Sequence, residues 1–309
     1  MGRGLPKYME RNTAKQITIF EGLTQAITDF GLLVKFKLSL LVLFSAVMSY
    51  AIVCAGNVDW TTLALLTVGG FMVTGAANAL NQVLERDYDR LMARTANRPV
   101  ATGRISVSKA VLWAGLMALT GITMLAFFNP LACFLGTLSL ISYAFVYTPL
   151  KRSTPLSVVV GAIPGALPLI IGCVVFEGRI SQTALMLFSL QFLWQFPHFW
   201  AVAWLADEDY KKAGFYLLPS KNGIKDPTTG FLSFVFCLLM IGNAVVGYAY
   251  GLVGLAATLF LVLLNAWWAR YCWQLYKTCS REAARRQMFM SFLHLPLSLL
   301  VLLIDKLII

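Results

Sequence analysis

Charge is scarce in this chain: Asp, Glu, Lys and Arg make up only 13% of its 309 residues, against 59% apolar residues. Histidine is scarcer still, with His198 and His294 the only two, which excludes chemistry built on clustered imidazoles. The six cysteines (Cys54, Cys133, Cys173, Cys237, Cys272 and Cys279) contain no CxxC pair and lie mostly in apolar context, so they read as packing residues rather than a disulfide or metal framework. No Pro/Gly/Ser-rich linker or low-complexity segment divides the chain. No compact signal-peptide pattern precedes the first apolar run. Arg3, Lys7, Arg11 and Lys15 resemble a weak amphipathic arm, although Glu10, Glu21 and Asp29 argue against an acid-poor transit peptide.

Long apolar runs are what the chain has instead. Mean hydropathy is +0.73, and the runs are long enough to cross a ~30 Å hydrocarbon core as helices. The expected spans are 37–55, 62–84, 107–127, 130–148, 156–176, 182–205, 228–248, 252–275 and 288–306. The chain is therefore expected to be an all-α polytopic membrane protein of about nine transmembrane helices. A basic N-terminal tail, 1–30, precedes a single transmembrane domain, 31–309.

The formal charge of +11 first suggests a nucleic-acid ligand, but the nine-span topology accounts for it otherwise. With the N-terminus on the cytoplasmic side, the tail, the loop from Arg86 to Lys109, Lys151 and Arg152, the loop from Lys211 to Lys225 and the stretch from Arg270 to Arg286 all fall inside. Only Arg179 and Lys306 fall outside, as the positive-inside rule requires. Two polar loops, Glu85 to Lys109 and Asp207 to Thr229, recur four spans apart on that side and hint at a degenerate internal repeat. Gly161, Pro164, Gly165, Pro168 and Gly172 interrupt the fifth span and Pro197 the sixth, so these two helices are expected to border a cavity.

The densest charge follows the second span. Asn81, Glu85 and Asp89 are spaced i, i+4, i+8, so a helix continuing through them would carry all three on one face. Two carboxylates and an amide oxygen in such a row suit Mg²⁺, which keeps positions open for phosphate oxygens. Asp87 lies off that face. An alternative is that these acids end a helix paired with Arg86, Arg90 and Arg94, but acids at a helix C-terminus oppose its dipole. Arg94 and Arg98 offer planar donors for phosphate, or simple anchoring at the membrane edge.

At these residues the sequence resembles the UbiA-type intramembrane prenyltransferases. Asn81, Glu85, Asp89, Arg94, Thr95, Arg98 and Pro99 match the family's first motif in register. Glu85 in place of the usual middle Asp, Gln195-Phe-Pro-His198-Phe-Trp200, and the segment from Asp209 through Gly214 to Pro219 resemble its protohaem-farnesylating branch. The resemblance implies a central cavity and a multi-pass protein of the bacterial cytoplasmic membrane, the mitochondrial inner membrane being the lesser alternative. It also implies transfer of a farnesyl group from farnesyl diphosphate to a vinyl group of haem B, with water added and pyrophosphate released. By this resemblance Asn81, Glu85, Asp89, His198 and Asp209 are catalytic. Arg94, Arg98, Tyr147 and Lys151 meet the diphosphate, and Asn81, Glu85, Asp89, Asp209 and Asp207 hold Mg²⁺. Tyr147 and Lys151 match a Tyr-x-x-x-Lys pattern, although without the resemblance Lys151 reads as a snorkelling anchor.

The second acidic group departs from the family's four-residue spacing, because Asp207, Glu208 and Asp209 are consecutive. Asp209 ranks first there and Asp207 second. Lys211, Lys212 and Lys221 are either phosphate contacts or a solvated loop. His198 is expected near the porphyrin or reacting centre, and His294 as a core residue. Expected partners are farnesyl diphosphate, haem B, membrane lipid and a downstream haem-modifying enzyme or oxidase assembly. The competing readings are a prenyltransferase of an aromatic quinone precursor and a transporter of haem or anionic lipid; Glu85 and His198 disfavour the first. Charge clustered on one side rather than at the midplane disfavours the second.

Overall fold

The structure, a computed structural model, describes residues 22–220 and 223–308. The tail cations Arg3, Lys7, Arg11 and Lys15, and Lys221, lie outside the described residues. Among those described, the chain is helical. Helix α1 covers residues 22–33, running across the expected boundary at residue 30 between tail and transmembrane domain, followed by α2 (Phe36–Cys54), α3 (Trp60–Leu84), the short α4 (Arg86–Asp89) and α5 (Pro99–Thr102). Then come α6 (Val107–Ala126), α7 (Pro130–Ile141), a π-helical turn (Ser142–Tyr147), α8 (Thr148–Leu150) and α9 (Ser157–Glu177). The series closes with α10 (Gln182–Leu205), α11 (Asp207–Lys212), α12 (Pro227–Ala249), α13 (Leu255–Thr278) and α14 (Arg281–Ile308).

Eight of these segments are long and apolar enough to cross a membrane, counting α7 through α8 as one. The sixth expected span, α10, is the one outside these eight: 24 residues of helix diluted by Gln191, Gln195 and His198. The protein is an integral, multi-pass membrane protein.

The spans form a closed ring. Successive neighbours pack through α2, α3, α6, α7, α9, α10, α12, α13 and α14, and α14 returns to α2. The two largest apolar cores lie one among α2, α3, α6, α7 and α9, the other among α2, α9, α10, α12, α13 and α14. Helices α2 and α9 therefore belong to both. Their close approach depends on Gly172, where a Cβ would lie 2.1 Å from the Ala46 carbonyl oxygen. The small residues of α9 thus serve helix packing, and its cavity-facing contribution is confined to Val158 near its start. Leucine and phenylalanine side chains such as Leu119, Leu263 and Phe134 point outward and exposed, as a lipid-facing surface demands.

All six cysteines are free. Cys237 and Cys272 approach to 3.7 Å between sulfurs as packed thiols within the second core.

Candidate active site

The helix carrying the acidic row does not run straight through it. Helix α3 ends at Leu84, and Glu85 takes φ −99° and ψ 7° before the single turn α4. The hydrogen bonds from Glu85 N to Asn81 O (2.9 Å) and from Asp89 N to Glu85 O (2.8 Å) persist across the bend. Asn81, Glu85 and Asp89 consequently stay on one wall. They line a cavity of about 960 Å³ together with Arg94, Arg98, Tyr147, Lys151 and His198. Eight of the ten residues assigned a site role by sequence thus meet in one place.

Each member of the row is held by a cation. Lys151 Nζ lies 2.8 Å from Glu85 Oε1, Arg98 Nη1 lies 2.8 Å from both Asp89 oxygens, and Lys35 Nζ donates to Asn81 Oδ1 at 2.8 Å. Burial pushes the Glu85 carboxyl up, but the Lys151 ammonium outweighs it, with Lys35 and Arg98 adding to the effect, so Glu85 titrates below its ordinary range. Burial pushes Lys151 down, yet Glu85 more than compensates and raises it. For Asp89 burial wins over Arg98, and its carboxyl is raised. Lys35 is lowered well below an ordinary lysine by burial and then by repulsion from Arg98 and Lys151.

Orientation of the row comes from the π-helical turn. Pro149 has no N–H to return to the preceding turn, which favours the wider register there. Thr148 Oγ1 donates to the Tyr143 carbonyl (2.9 Å), so it can only accept from Asn81 Nδ2, at 3.1 Å. The Asn81 amide is thereby turned with its oxygen toward the cavity. Gly161 of α9 admits the Tyr147 ring, because a Cβ there would sit 2.6 Å from it. The Lys151 ammonium lies 4.6 Å from that ring's centre.

Asp207 and Asp209 are not on the cavity wall, contrary to the metal role expected of them. Asp207 is buried between Lys211 (2.9 Å) and Lys225 (3.5 Å), while Asp209 faces Lys212 (3.8 Å) and the Arg94 backbone N–H (3.4 Å). The reason is register. Helix α10 ends at Leu205, and Ala206 takes φ −102° and ψ 14°, nearly the geometry at Glu85, before the short α11 follows as α4 follows α3. Residues 202, 206 and 210 thus occupy the places of 81, 85 and 89. They are Val202, Ala206 and Tyr210, and Val202 and Tyr210 line the cavity. Among the described residues no group of three or more His, Cys, Asp or Glu side chains converges on one point. The oxygens that fit a Mg²⁺ ion bound with a diphosphate are those of Asn81, Glu85 and Asp89.

His198 reaches the cavity from α10, stacked at 4.6 Å on Trp194. Its Nδ1 lies 2.7 Å from Ser291 Oγ, and Ser291 Oγ donates to the Met288 carbonyl at 2.5 Å. A hydroxyl has one proton, so Nδ1 must be the donor and Nε2 carries the lone pair. His294 is fully buried on Asn265 Oδ1 at 2.9 Å, a core residue as expected.

Sequence reading missed Lys35, Thr148 and Ser291. The positive-inside count takes Lys35 only as one of the inner-side tail cations, although its place between Leu32-Leu33-Val34 and Phe36 is a signal. Nothing local marked Ser291, which is 93 residues from its partner.

Fold and site together define a multi-pass membrane protein whose helical ring encloses a cavity of paired acids and excess cations, suited to a metal-bound phosphorylated ligand. The chain belongs to the UbiA prenyltransferase family, whose sequence profile matches residues 42–293. It is 42% identical over 89% of its length to the protoheme IX farnesyltransferase of Cytophaga hutchinsonii, covering 96% of that protein. It is 38% identical over 91% of its length to the protoheme IX farnesyltransferase of Christiangramia forsetii, covering 94% of it. Two solved folds superimpose. A digeranylgeranylglyceryl phosphate synthase does so with a TM-score of 0.78 at 16% identity, covering 92% of this chain and 100% of that one. An Archaeoglobus fulgidus UbiA homologue bound to GPP and Mg²⁺ does so with a TM-score of 0.64 at 15% identity, covering 89% of this chain and 99% of that one.

Proposed function

We propose that the protein transfers the farnesyl group of farnesyl diphosphate to a vinyl group of haem B, giving haem O and pyrophosphate. The observation that carries this reading is the single cavity in which the acidic row, five cations and His198 converge. The high identity to protoheme IX farnesyltransferases over nearly the whole chain supports the choice of substrate.

Asn81, Glu85 and Asp89 hold Mg²⁺, which when bound neutralises charge on the diphosphate leaving group. Arg94, Arg98 and Lys151 receive the diphosphate oxygens and stabilise the charge that develops as the C1–O bond breaks. Phe199, Val158 and Leu217 offer the prenyl chain an apolar wall that keeps bulk water from the allylic carbon. The terminal vinyl carbon of haem bonds to C1 of the farnesyl chain, and the cation left beside the macrocycle takes up water. That water must lose a proton, and His198 Nε2, kept unprotonated by Ser291, accepts it.

The concentration of cations on the site's side of the ring supports a cytoplasmic site in a bacterial inner membrane, with the N-terminus on the same side. The same arrangement lets water-soluble pyrophosphate leave into the cytoplasm.

Purified protein supplied with haem B, farnesyl diphosphate and Mg²⁺ should release pyrophosphate and form a haem of longer chromatographic retention. Prenylation of a hydroxybenzoate with no haem product would replace this reading with that of a quinone-precursor prenyltransferase.

A further inference from the structure

The register of the second half-site has a consequence for how the diphosphate charge is met. A site with acids on both walls recruits metal from both. Here the positions matching Asn81, Glu85 and Asp89 are Val202, Ala206 and Tyr210, and none carries a charge. Asp207 and Asp209 are engaged by Lys211, Lys225 and Lys212. Tyr210 instead accepts from Arg94 Nη2 at 2.9 Å, so a cation stands on this wall where an acid would attract one.

Lys35 faces the same cavity from the junction of α1 and α2. Its backbone is left-handed (φ 47°, ψ 57°), a costly conformation for a residue with a side chain, and the neighbouring helices hold it there. Asp29, close by on α1, is taken by Arg104 at 3.0 Å. Lys35 therefore makes no ion pair among the described residues, and its hydrogen bond is to the neutral Asn81 oxygen. Glu85 and Asp89, the two acids lining the cavity, are matched by Lys151 and Arg98. That leaves Lys35, Lys37 and Arg94 as surplus cations lining the cavity, and of these Lys35 is the one hydrogen-bonded to the oxygen that a metal would use.

We propose that the cavity takes the diphosphate with one divalent cation, and that Lys35 supplies from the chain the positive charge a second ion would bring. It leaves Asn81 for a phosphate oxygen when the metal-diphosphate complex enters. Metal alone competes with Lys35 for Asn81, so metal and diphosphate bind cooperatively. This inference rests on the proposed use of a prenyl diphosphate.

The test is Mn²⁺ binding, followed by electron paramagnetic resonance on the full chain in lipid nanodiscs, with and without inorganic pyrophosphate. The wild type should bind one Mn²⁺ per chain in the presence of pyrophosphate, and Asp209→Asn should leave that number at one. Lys35→Met should bind Mn²⁺ alone more tightly than the wild type, yet bind Mn²⁺-pyrophosphate at least about tenfold more weakly, as expected for one lost charge-assisted hydrogen bond. Lys35→Arg should recover part of the pyrophosphate binding. A merely structural lysine would not move the two affinities in opposite directions. Two ions per wild-type chain, a lower count in Asp209→Asn, or Lys35→Met affinities that are unchanged or both reduced would overturn the proposal. Failure of the wild type to bind Mn²⁺-pyrophosphate at all would instead overturn the underlying diphosphate reading.

Discussion

Lys151 and Glu85 meet at 2.8 Å with side chains only 12% and 6% exposed, joining the inner end of the fourth span to the bend after α3. Removing one partner strands the other as a lone charge. Lys151→Met should lower unfolding free energy by about 3–5 kcal/mol. The double variant Lys151→Met with Glu85→Gln should recover most of that stability without recovering activity. Thermal melts of detergent-solubilised protein, paired with pyrophosphate release, check both arms.

The same pair sets a pH dependence. Glu85 is lowered in the folded protein, so its contribution is present above the ordinary carboxylate range and is lost as pH falls through its folded value. Lys151 is raised, so its contribution is present below the ordinary lysine range and is lost as pH rises through its own folded value. Stability from this pair should therefore be flat through neutrality and fall at both extremes. Melting temperature against pH should show a shallower acid limb in the double variant than in the wild type.

Asp89→Asn should abolish turnover while leaving the protein inserted and folded, because the amide retains one acceptor for Arg98 but loses the charge that holds metal. Chelation of divalent ions should stop the wild type in the same way, and added Mg²⁺ should restore it. An active Asp89→Asn protein would count against the metal row.

Ser291→Ala removes the group that orients the His198 proton. The ring then samples both tautomers, and kcat should fall by about tenfold to a hundredfold, roughly the worth of one hydrogen bond to a catalytic base. KM for farnesyl diphosphate should stay within a factor of about two, since the diphosphate residues are untouched. Ser291→Thr should keep most of the activity by preserving the hydroxyl.

Gly172→Ala places a methyl 2.1 Å from both the Ala46 carbonyl oxygen and Ser49 Oγ. Helices α2 and α9 must separate, at a cost of about 1–3 kcal/mol. Because α2 and α9 belong to both cores, one cooperative loss of melting temperature is expected rather than a local defect.

Much of this protein was legible in its sequence. Nine apolar runs gave the spans to within a few residues at most ends, because a bilayer imposes length and composition on any helix that crosses it. The eighth and ninth spans were the least accurate. Helix α14 begins at Arg281 rather than 288, since charged Arg285 and Arg286 hide helix from a hydropathy reading. Asn81, Glu85 and Asp89 share a wall as their spacing implied, even though the helix bends at Glu85, because the i to i+4 hydrogen bonds continue across the bend.

What spacing could not supply was register relative to a second helix. Asp207 and Asp209 carry carboxyl groups just as Glu85 and Asp89 do, and only the matching bends at Glu85 and Ala206 reveal that Tyr210 takes the cavity position and turns those acids toward lysines. The sequence by itself determined the spans, the charged face and the chemical character of the first wall, because these depend on composition and on hydrogen bonds a few residues apart. The tertiary structure decided the partners: Lys35 on Asn81, Lys151 on Glu85 and Ser291 on His198. These contacts join residues 46, 66 and 93 positions apart, and only the closing of the helical ring brings such separations within hydrogen-bond reach.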